Sequence, residues 1–275
     1  MMPPFMPVEQ IDTPRNSGLR DWKTITGSTT SHVKGAYTEI IASTAGPGYW
    51  IHFSWGFTSV SSTDSSQLLD IAIGGAGSEV IIIPDIGTGW SQGNNNNQSR
   101  SRLDLPFYIP AGSRISARLQ GAIASDECPV AIEISGGSPL SGYYSACTVH
   151  GENVGISRGV QVPSGEPGNT KGAYVELDSS TSEVIDALII NCQGDANQTG
   201  ASFLYDIAVG AAASEVVVVA DFSFVASSSE FFSTDEPRVI PLARPIPAGT
   251  RLSVRAQSNN AGQNHGWIHV QGLRI

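Results

Sequence analysis

Gly155-Ile156-Ser157-Arg158-Gly159 has the spacing of a nucleophile elbow, in which a strand feeds a serine and the helix after it leaves the hydroxyl exposed. The residues that follow, Val160-Gln161-Val162-Pro163-Ser164-Gly165, cannot supply that helix, so the match is expected to be accidental. Asp70 with Glu79, and Asp206 with Glu215, offer carboxyl pairs of the kind a glycosidase sets across a sugar. Both pairs flank the same short turn, and a repeated turn explains them better than a repeated active site. As turn residues, these acids are expected to accept hydrogen bonds from backbone or arginine. His265 and His269 would share a metal on a helix, but in a strand they stand ~13 Å apart. His32, His52 and His150 are isolated, and Cys128, Cys147 and Cys192 lack ligand spacing. Neither a catalytic residue, a metal nor a cofactor is expected.

Binding chemistry has more candidates. Arg114 and Arg118, with Arg251 and Arg255, form an exposed basic rung whose expected partners are Asp70 and Asp206 or a neighbouring subunit. A phosphate or acidic glycan is the sharper alternative. Trp90 opens a polar stretch through Ser99 that includes Asn94, Asn95, Asn96 and Asn97. Planar amides and an aromatic face hydrogen-bond and stack on sugars, so these residues are candidate glycan contacts, as are Tyr143, Tyr144 and Trp267. A merely solvated loop is the plain alternative. At the start, Met1, Met2, Phe5 and Met6 lie among Pro3, Pro4, Pro7 and Pro14. Proline keeps this leader out of helix and central strand, so it reads as an extended arm whose adaptable apolar side chains anchor the protein.

The elements that must position these residues come in two copies. Lys34-Gly-Ala-Tyr-Thr-Glu39 returns as Lys171-Gly-Ala-Tyr-Val-Glu176, 137 residues on. Asp70-Ile-Ala-Ile-Gly-Gly-Ala-Gly-Ser-Glu-Val80 returns as Asp206-Ile-Ala-Val-Gly-Ala-Ala-Ala-Ser-Glu-Val216, and Ile109-Pro-Ala-Gly-Ser-Arg114 as Ile246-Pro-Ala-Gly-Thr-Arg251. The period is far beyond a solenoid's, so each copy is a whole domain. The expected boundaries are an arm at 1–17, a first repeat at 18–137, a linker at 138–150 and a second repeat at 151–275.

Inside each copy the apolar period is two. Ile115, Ala117 and Leu119 alternate with Arg114, Ser116 and Arg118, as Leu252, Val254 and Ala256 do with Arg251, Ser253 and Arg255. Tyr49, Ile51, Phe53, Trp55 and Phe57 form one face, matched by Leu188, Ile190 and Cys192. Turn residues punctuate these runs, and no long helical pattern intervenes. The fold class is therefore all-β: two tandem antiparallel β-sandwich domains, jelly-roll-like, with an extended N-terminal arm.

Composition narrows the partners. Of 275 residues only 15 are Lys or Arg and 25 Asp or Glu, a net charge of -10 that opposes nucleic-acid binding. No uncharged apolar run reaches membrane-span length, so no membrane partner is expected. The start lacks a signal peptide's cationic lead and apolar core, which makes the sequons at Asn97 and Asn197 accidental and points to synthesis in a reducing cytoplasm.

The blocks DIAIGGAGSEVIIIPD, YIPAGSRISARLQ and KGAYTEI resemble a domain that recurs, singly or in tandem, in virion structural proteins of tailed bacteriophages and gene transfer agents. The resemblance implies a β-sandwich unit of a head fibre, tail fibre or spike, made in the host cytoplasm and built into the virion. Its implied partners are other virion proteins, further copies of itself as a homo-oligomer, and host polysaccharide. Asp70, Gly74, Ser78, Glu79, Pro110 and Gly112 would be fold markers, and no catalytic residue is carried over. A purely architectural decoration or tail-associated protein is the alternative, and a glycan-degrading enzyme using Asp70 and Glu79 a third reading. The Trp90–Ser99 stretch, present in one repeat alone, departs from the pattern.

Overall fold

The computed structural model describes residues 10–11, 22–56, 65–91, 100–136, 142–193, 201–226, 237–262 and 266–275. Those residues are all-β, with no helix among them. The first repeat comprises β1 (Gln10–Ile11), β2 (Lys23–Thr26), β3 (Thr38–Ile41), β4 (Trp50–Gly56), β5 (Ser65–Ile73), β6 (Val80–Ser91), β7 (Arg100–Leu105), β8 (Ile115–Gly121) and β9 (Glu127–Ser135). The second comprises β10 (Ala146–His150), β11 (Glu152–Asn153), β12 (Arg158–Gln161), β13 (Val175–Asp178), β14 (Ile185–Gln193), β15 (Ala201–Val209), β16 (Val216–Ala226), β17 (Arg238–Ile246), β18 (Leu252–Ser258) and β19 (Trp267–Arg274).

Each repeat is a jelly roll. In the first, β2-β9-β4-β7 faces β3-β8-β5-β6; in the second, β12-β19-β14-β17 faces β13-β18-β15-β16, with all these pairings antiparallel. These are the interleaved orders left when a long hairpin of eight strands is rolled into two sheets. Alternation decides which side chains enter the core. Ile51, Phe53 and Trp55 are buried from β4, and Ile115, Ala117 and Leu119 from β8. Leu188 and Ile190 from β14, with Leu252, Val254 and Ala256 from β18, do the same in the second repeat. Full burial of a large side chain such as Phe53 contributes about 2–3 kcal/mol.

The repeated blocks fall on the turns and on one outer face. Gly35 and Gly172 leave no room for a side chain, since a Cβ there would press on the carbonyls of Thr26 and Pro163. In the β5–β6 hairpin Gly77 has φ +83°, and its twin Ala213 adopts +65°, a strained setting for a residue with a Cβ.

Two of the expected boundaries shift. Gln10 and Ile11, in the expected arm, pair with Ser135 and Ile134 at the edge of β9. Ala146–His150, in the expected linker, forms β10 and pairs with β19 from Arg274 to Val270. Both segments add a short strand to a sheet edge, where unpaired backbone groups are available. Met1, Met2, Phe5 and Met6 lie outside the described residues.

The repeats meet along a seam. A bulge in β6 at Pro84–Gly87 rests on the outer face of β14 and β19. Ala187, Ile189 and Leu273 of the second repeat join the first repeat's buried cluster, with Cys147 and Val239 against it. Polar groups fix the register. His269 Nε2 donates to Asp85 O at 2.7 Å, Gln271 Nε2 to the same oxygen at 2.9 Å, and Gly87 N to Asn191 Oδ1 at 3.1 Å.

Candidate functional site

Three tyrosines from distant segments converge at one end of the first jelly roll. Two isolated bridges place them. Gly48 and Ile109 exchange backbone hydrogen bonds at 2.8 and 2.9 Å, and Phe107 bridges Tyr144, whose N–H donates to Pro106 O at 2.7 Å. Phe107 and Ile109 point inward and are buried, so Tyr108 between them points out, 39 % exposed. By the same alternation buried Tyr144 turns Tyr143 outward, 36 % exposed. Ring centroids lie 5.6 Å apart for Tyr49–Tyr108, 5.6 Å for Tyr108–Tyr143 and 6.4 Å for Tyr49–Tyr143, all tilted. These are favourable aromatic separations, and the set presents apolar faces rimmed by phenolic hydroxyls. The second repeat has Asp186 and Pro245 where the first has Tyr49 and Tyr108, so the platform belongs to one repeat.

Of the residues expected to touch a glycan, only Tyr143 belongs to this platform. Tyr144 is a correction: it is buried, because its bridge to Phe107 aims it at the core, and burial raises its phenol pKa. Trp267 stands at the start of β19 in the second repeat, with the Arg158 guanidinium 5.5 Å from its ring centroid. That cation covers a ring face a sugar would need. Trp90 lies in β6 paired with Ser66. Asn94, Asn95, Asn96 and Asn97 lie outside the described residues. Tyr49 and Tyr108 were missed because Tyr49 reads as a core residue in the alternation of β4, and Tyr108 stands alone before a turn.

The repeated acids and arginines form one cluster per repeat. Asp70 Oδ1 accepts from Lys34 Nζ at 2.7 Å and from Asp85 N at 2.9 Å, and Oδ2 accepts from Arg118 Nε at 2.8 Å. Arg118 lies 4.8 Å over the Tyr37 ring. In the second repeat Asp206 takes Lys171, Asp221 N and Arg255 at 2.7, 3.0 and 2.9 Å, and Arg255 covers Tyr174 at 4.8 Å. Arg114 instead reaches Glu39 and Glu79, and Arg251 reaches Glu176 and Glu215. Every repeated charge thus has a partner. Asp70 and Glu79 are tied to different arginines, with neither poised opposite the other across a cleft.

Ser157 is fully buried in the seam at φ +55°, with Oγ 3.0 Å from His32 Nδ1 and accepting from Gln120 Nε2 at 3.1 Å. Strand β12 follows it, so the elbow's helix is replaced by a strand. Burial, then the nearby Arg158, lowers the His32 pKa.

A second serine–histidine pair lies on the outer face of the first repeat. His52 Nε2 is 2.8 Å from Ser135 Oγ, and His52 Nδ1 is 2.8 Å from Asp104 Oδ1. Those are the distances of a nucleophilic triad. Here, however, Arg102 Nε takes the same Oδ1 at 2.7 Å, and its second nitrogen stands 3.1 Å from His52 Nδ1. Burial works to raise the Asp104 carboxyl, but bonds from Arg102 and His52 outweigh it and hold the pKa low. The row crosses β9, β4 and β7, neighbouring strands of one sheet. It is a polar rung on a sheet face.

Among the described residues no group of three or more His, Cys, Asp and Glu is placed to hold a metal. Cys128, Cys147 and Cys192 are free thiols, and burial pushes those of Cys128 and Cys147 up.

No protein-family model matches the chain, and no curated protein matches it. Among solved structures it is similar to PNGF-II, with TM-score 0.41 and 11 % identity over 92 % of this chain and 64 % of that one. The chain therefore spans less than two thirds of that protein's length. It is also similar to the N-terminal CBM22-1–CBM22-2 tandem domain of Paenibacillus barcinonensis Xyn10C, with TM-score 0.24, 9 % identity, and 96 % of each chain covered. The third is infectious bursal disease virus, Gx strain, with TM-score 0.22 and 9 % identity over 99 % of this chain and 74 % of that one. At these scores the likenesses assign no family, and the fold class rests on the strand order itself.

Proposed function

We propose that the chain is a non-enzymatic structural protein of a virion, a head or tail fibre or spike, whose first repeat meets host-surface polysaccharide through Tyr49, Tyr108 and Tyr143. The observation that carries the binding half is the tyrosine platform, with centroids 5.6 to 6.4 Å apart and two rings more than a third exposed. Flat aromatic faces stack on the C–H faces of sugar rings, and the hydroxyls at their rims donate to sugar oxygens. One such site is weak; several on one particle gain avidity through effective concentration. The virion half follows from the resemblance of the repeated blocks, with the leader from Met1 to Met6 attached to other virion proteins and the chain made in the host cytoplasm.

A multivalent form of the protein on a glycan array, beside Tyr108→Ala and Tyr143→Ala, tests the first half. Binding to a surface polysaccharide that both substitutions abolish is expected, and an array with no signal overturns it. Antibody-labelled particles seen by electron microscopy test the second half. A label that projects from the particle supports a fibre, and a particle without label overturns the virion setting. A purely architectural role predicts a label lying along the particle with no glycan signal.

A further inference from the structure

The seam inside the chain joins two unlike surfaces, and each repeat carries a version of both. One is the strand bulge at Pro84–Gly87 in the first repeat. Its twin in the second repeat is Ala220–Ser223 in β16, fixed by equivalent pairing: Leu69 opposes Ile86 as Tyr205 opposes Phe222. The two bulges share their geometry. Asp85 and Asp221 have φ of +48° and +51°, and each donates its N–H to the buried aspartate of its own repeat. Their surroundings differ. The Asp85 side chain is 14 % exposed beneath the second repeat, whereas that of Asp221 is 62 % exposed although Lys171 lies 2.8 Å away. Ala220, Ser223 and Val225 are exposed beside it.

The other surface is the outer face of β14 and β19. Its twin is the outer face of β4 and β9, where Trp50, His52, Asp104 and Ser135 stand in the places of Ala187, Ile189, Val239 and Leu273. Within the chain, the first repeat's bulge and the second repeat's face are used up on each other. Among the described residues, the second repeat's bulge and the first repeat's face remain uncovered, one on each repeat.

We propose that the β16 bulge of one copy docks on the outer β4–β9 face of the next, so that copies join head to tail in the arrangement that already joins the repeats. The occupant is a second copy because both halves of the contact have a fitted counterpart within the chain. The chemistry of the twins differs. The inner seam combines apolar side chains with the neutral polar groups of Asn191, His269 and Gln271 around the bulge, and the twins of those three are Ser54, Ala131 and Glu133. The outer pair thus sets the exposed Asp221 carboxylate and Ser223 hydroxyl against a charged face of His52, Arg102 and Glu133 beside Trp50. A buried, uncharged seam suits a permanent union, and a charged one suits reversible assembly. Such a contact is heterologous, so it builds rings or filaments rather than closed two-fold dimers. The proposal stands apart from the polysaccharide reading and fails or holds without it.

Sedimentation of the full chain over a wide concentration range tests it. The wild type is expected to self-associate, less so at high salt. Ser223→Arg or Val225→Arg on one side, and Trp50→Ala or Arg102→Glu on the other, are each expected to weaken association by roughly tenfold or more, while Ile81→Arg outside both surfaces changes nothing. Circular dichroism of each variant separates lost docking from lost folding. Mixing Ser223→Arg with Arg102→Glu is expected to give dimers that grow no further, because one intact surface of each kind remains. A wild type that stays monomeric, association that ignores the β16 variants, or association lost with β16 variants but not with those of the β4–β9 face, each overturns the proposal.

Discussion

Asp70 Oδ1 accepts the backbone N–H of Asp85 at 2.9 Å across the β5–β6 hairpin, so the carboxylate that neutralises Lys34 and Arg118 also holds the bulge that bears on the second repeat. Packing of the fold and docking of the repeats share one side chain. Replacing Asp70, 1 % exposed, with Ala takes the carboxylate from half-buried Arg118, leaves Lys34 with Asp85 alone and releases the bulge. A loss of about 3 kcal/mol is expected, read from denaturant unfolding. Asp206→Ala costs a similar amount in its own repeat while sparing the seam, which limited proteolysis between the repeats distinguishes.

Acid should act through the same cluster. Burial works to raise the Asp206 carboxyl, but bonds from Lys171, the Asp221 N–H and Arg255 outweigh it and set its folded pKa below the ordinary value. Such a group contributes stability that is complete above the unfolded value of about 4 and lost as pH falls through the folded one. Thermal unfolding followed from about pH 5 to about pH 2 should show this loss, and Asp206→Asn should flatten it.

The seam has its own dependence on pH. His269 is fully buried, its Nε2–H bound to the Asp85 carbonyl and its Nδ1 without a hydrogen-bond partner, and burial lowers its pKa against the opposing pull of the Asp85 carbonyl. Burial lowers that of His32 as well. The unfolded chain therefore takes up these protons first. Stability is full above about pH 6.5 and declines as pH drops below it toward the folded values. His269→Gln keeps a donor for Asp85 O but cannot titrate, so its melting temperature should fall less between about pH 7 and about pH 5.

Removing one ring from the tyrosine platform should weaken polysaccharide binding without touching the core, since Tyr108 and Tyr143 are exposed. Each loss is worth about 1 kcal/mol per site, roughly fivefold in affinity, and more in a multivalent format. Calorimetry with the monovalent chain and unchanged melting temperatures of Tyr108→Ala and Tyr143→Ala would support this. Tyr144→Ala should instead lower the melting temperature.

The sequence by itself determined the elements and their doubling. Ile51, Phe53 and Trp55, like Ile115, Ala117 and Leu119, announce a buried strand face because strand geometry sends alternate side chains to opposite sides. Gly74 to Glu79 and Pro110 to Gly112 announce turns because their backbone needs are local. The same local reading offered Asp70, or a neighbouring subunit, to Arg114 and Arg118 alike, and Arg118 takes Asp70. It did not find that Arg114 chooses Glu39 and Glu79, because period two says which face a residue takes and not which strand lies beside it. Only the tertiary structure decided the rest. Rolling the strands into 2-9-4-7 and 3-8-5-6 orders brought Tyr49, Tyr108 and Tyr143 together. Docking the repeats buried Ser157 and left Asp221 open where Asp85 is covered. The rings of that platform and the two sides of that seam come from segments far apart in the chain, and only long-range strand pairing makes them neighbours.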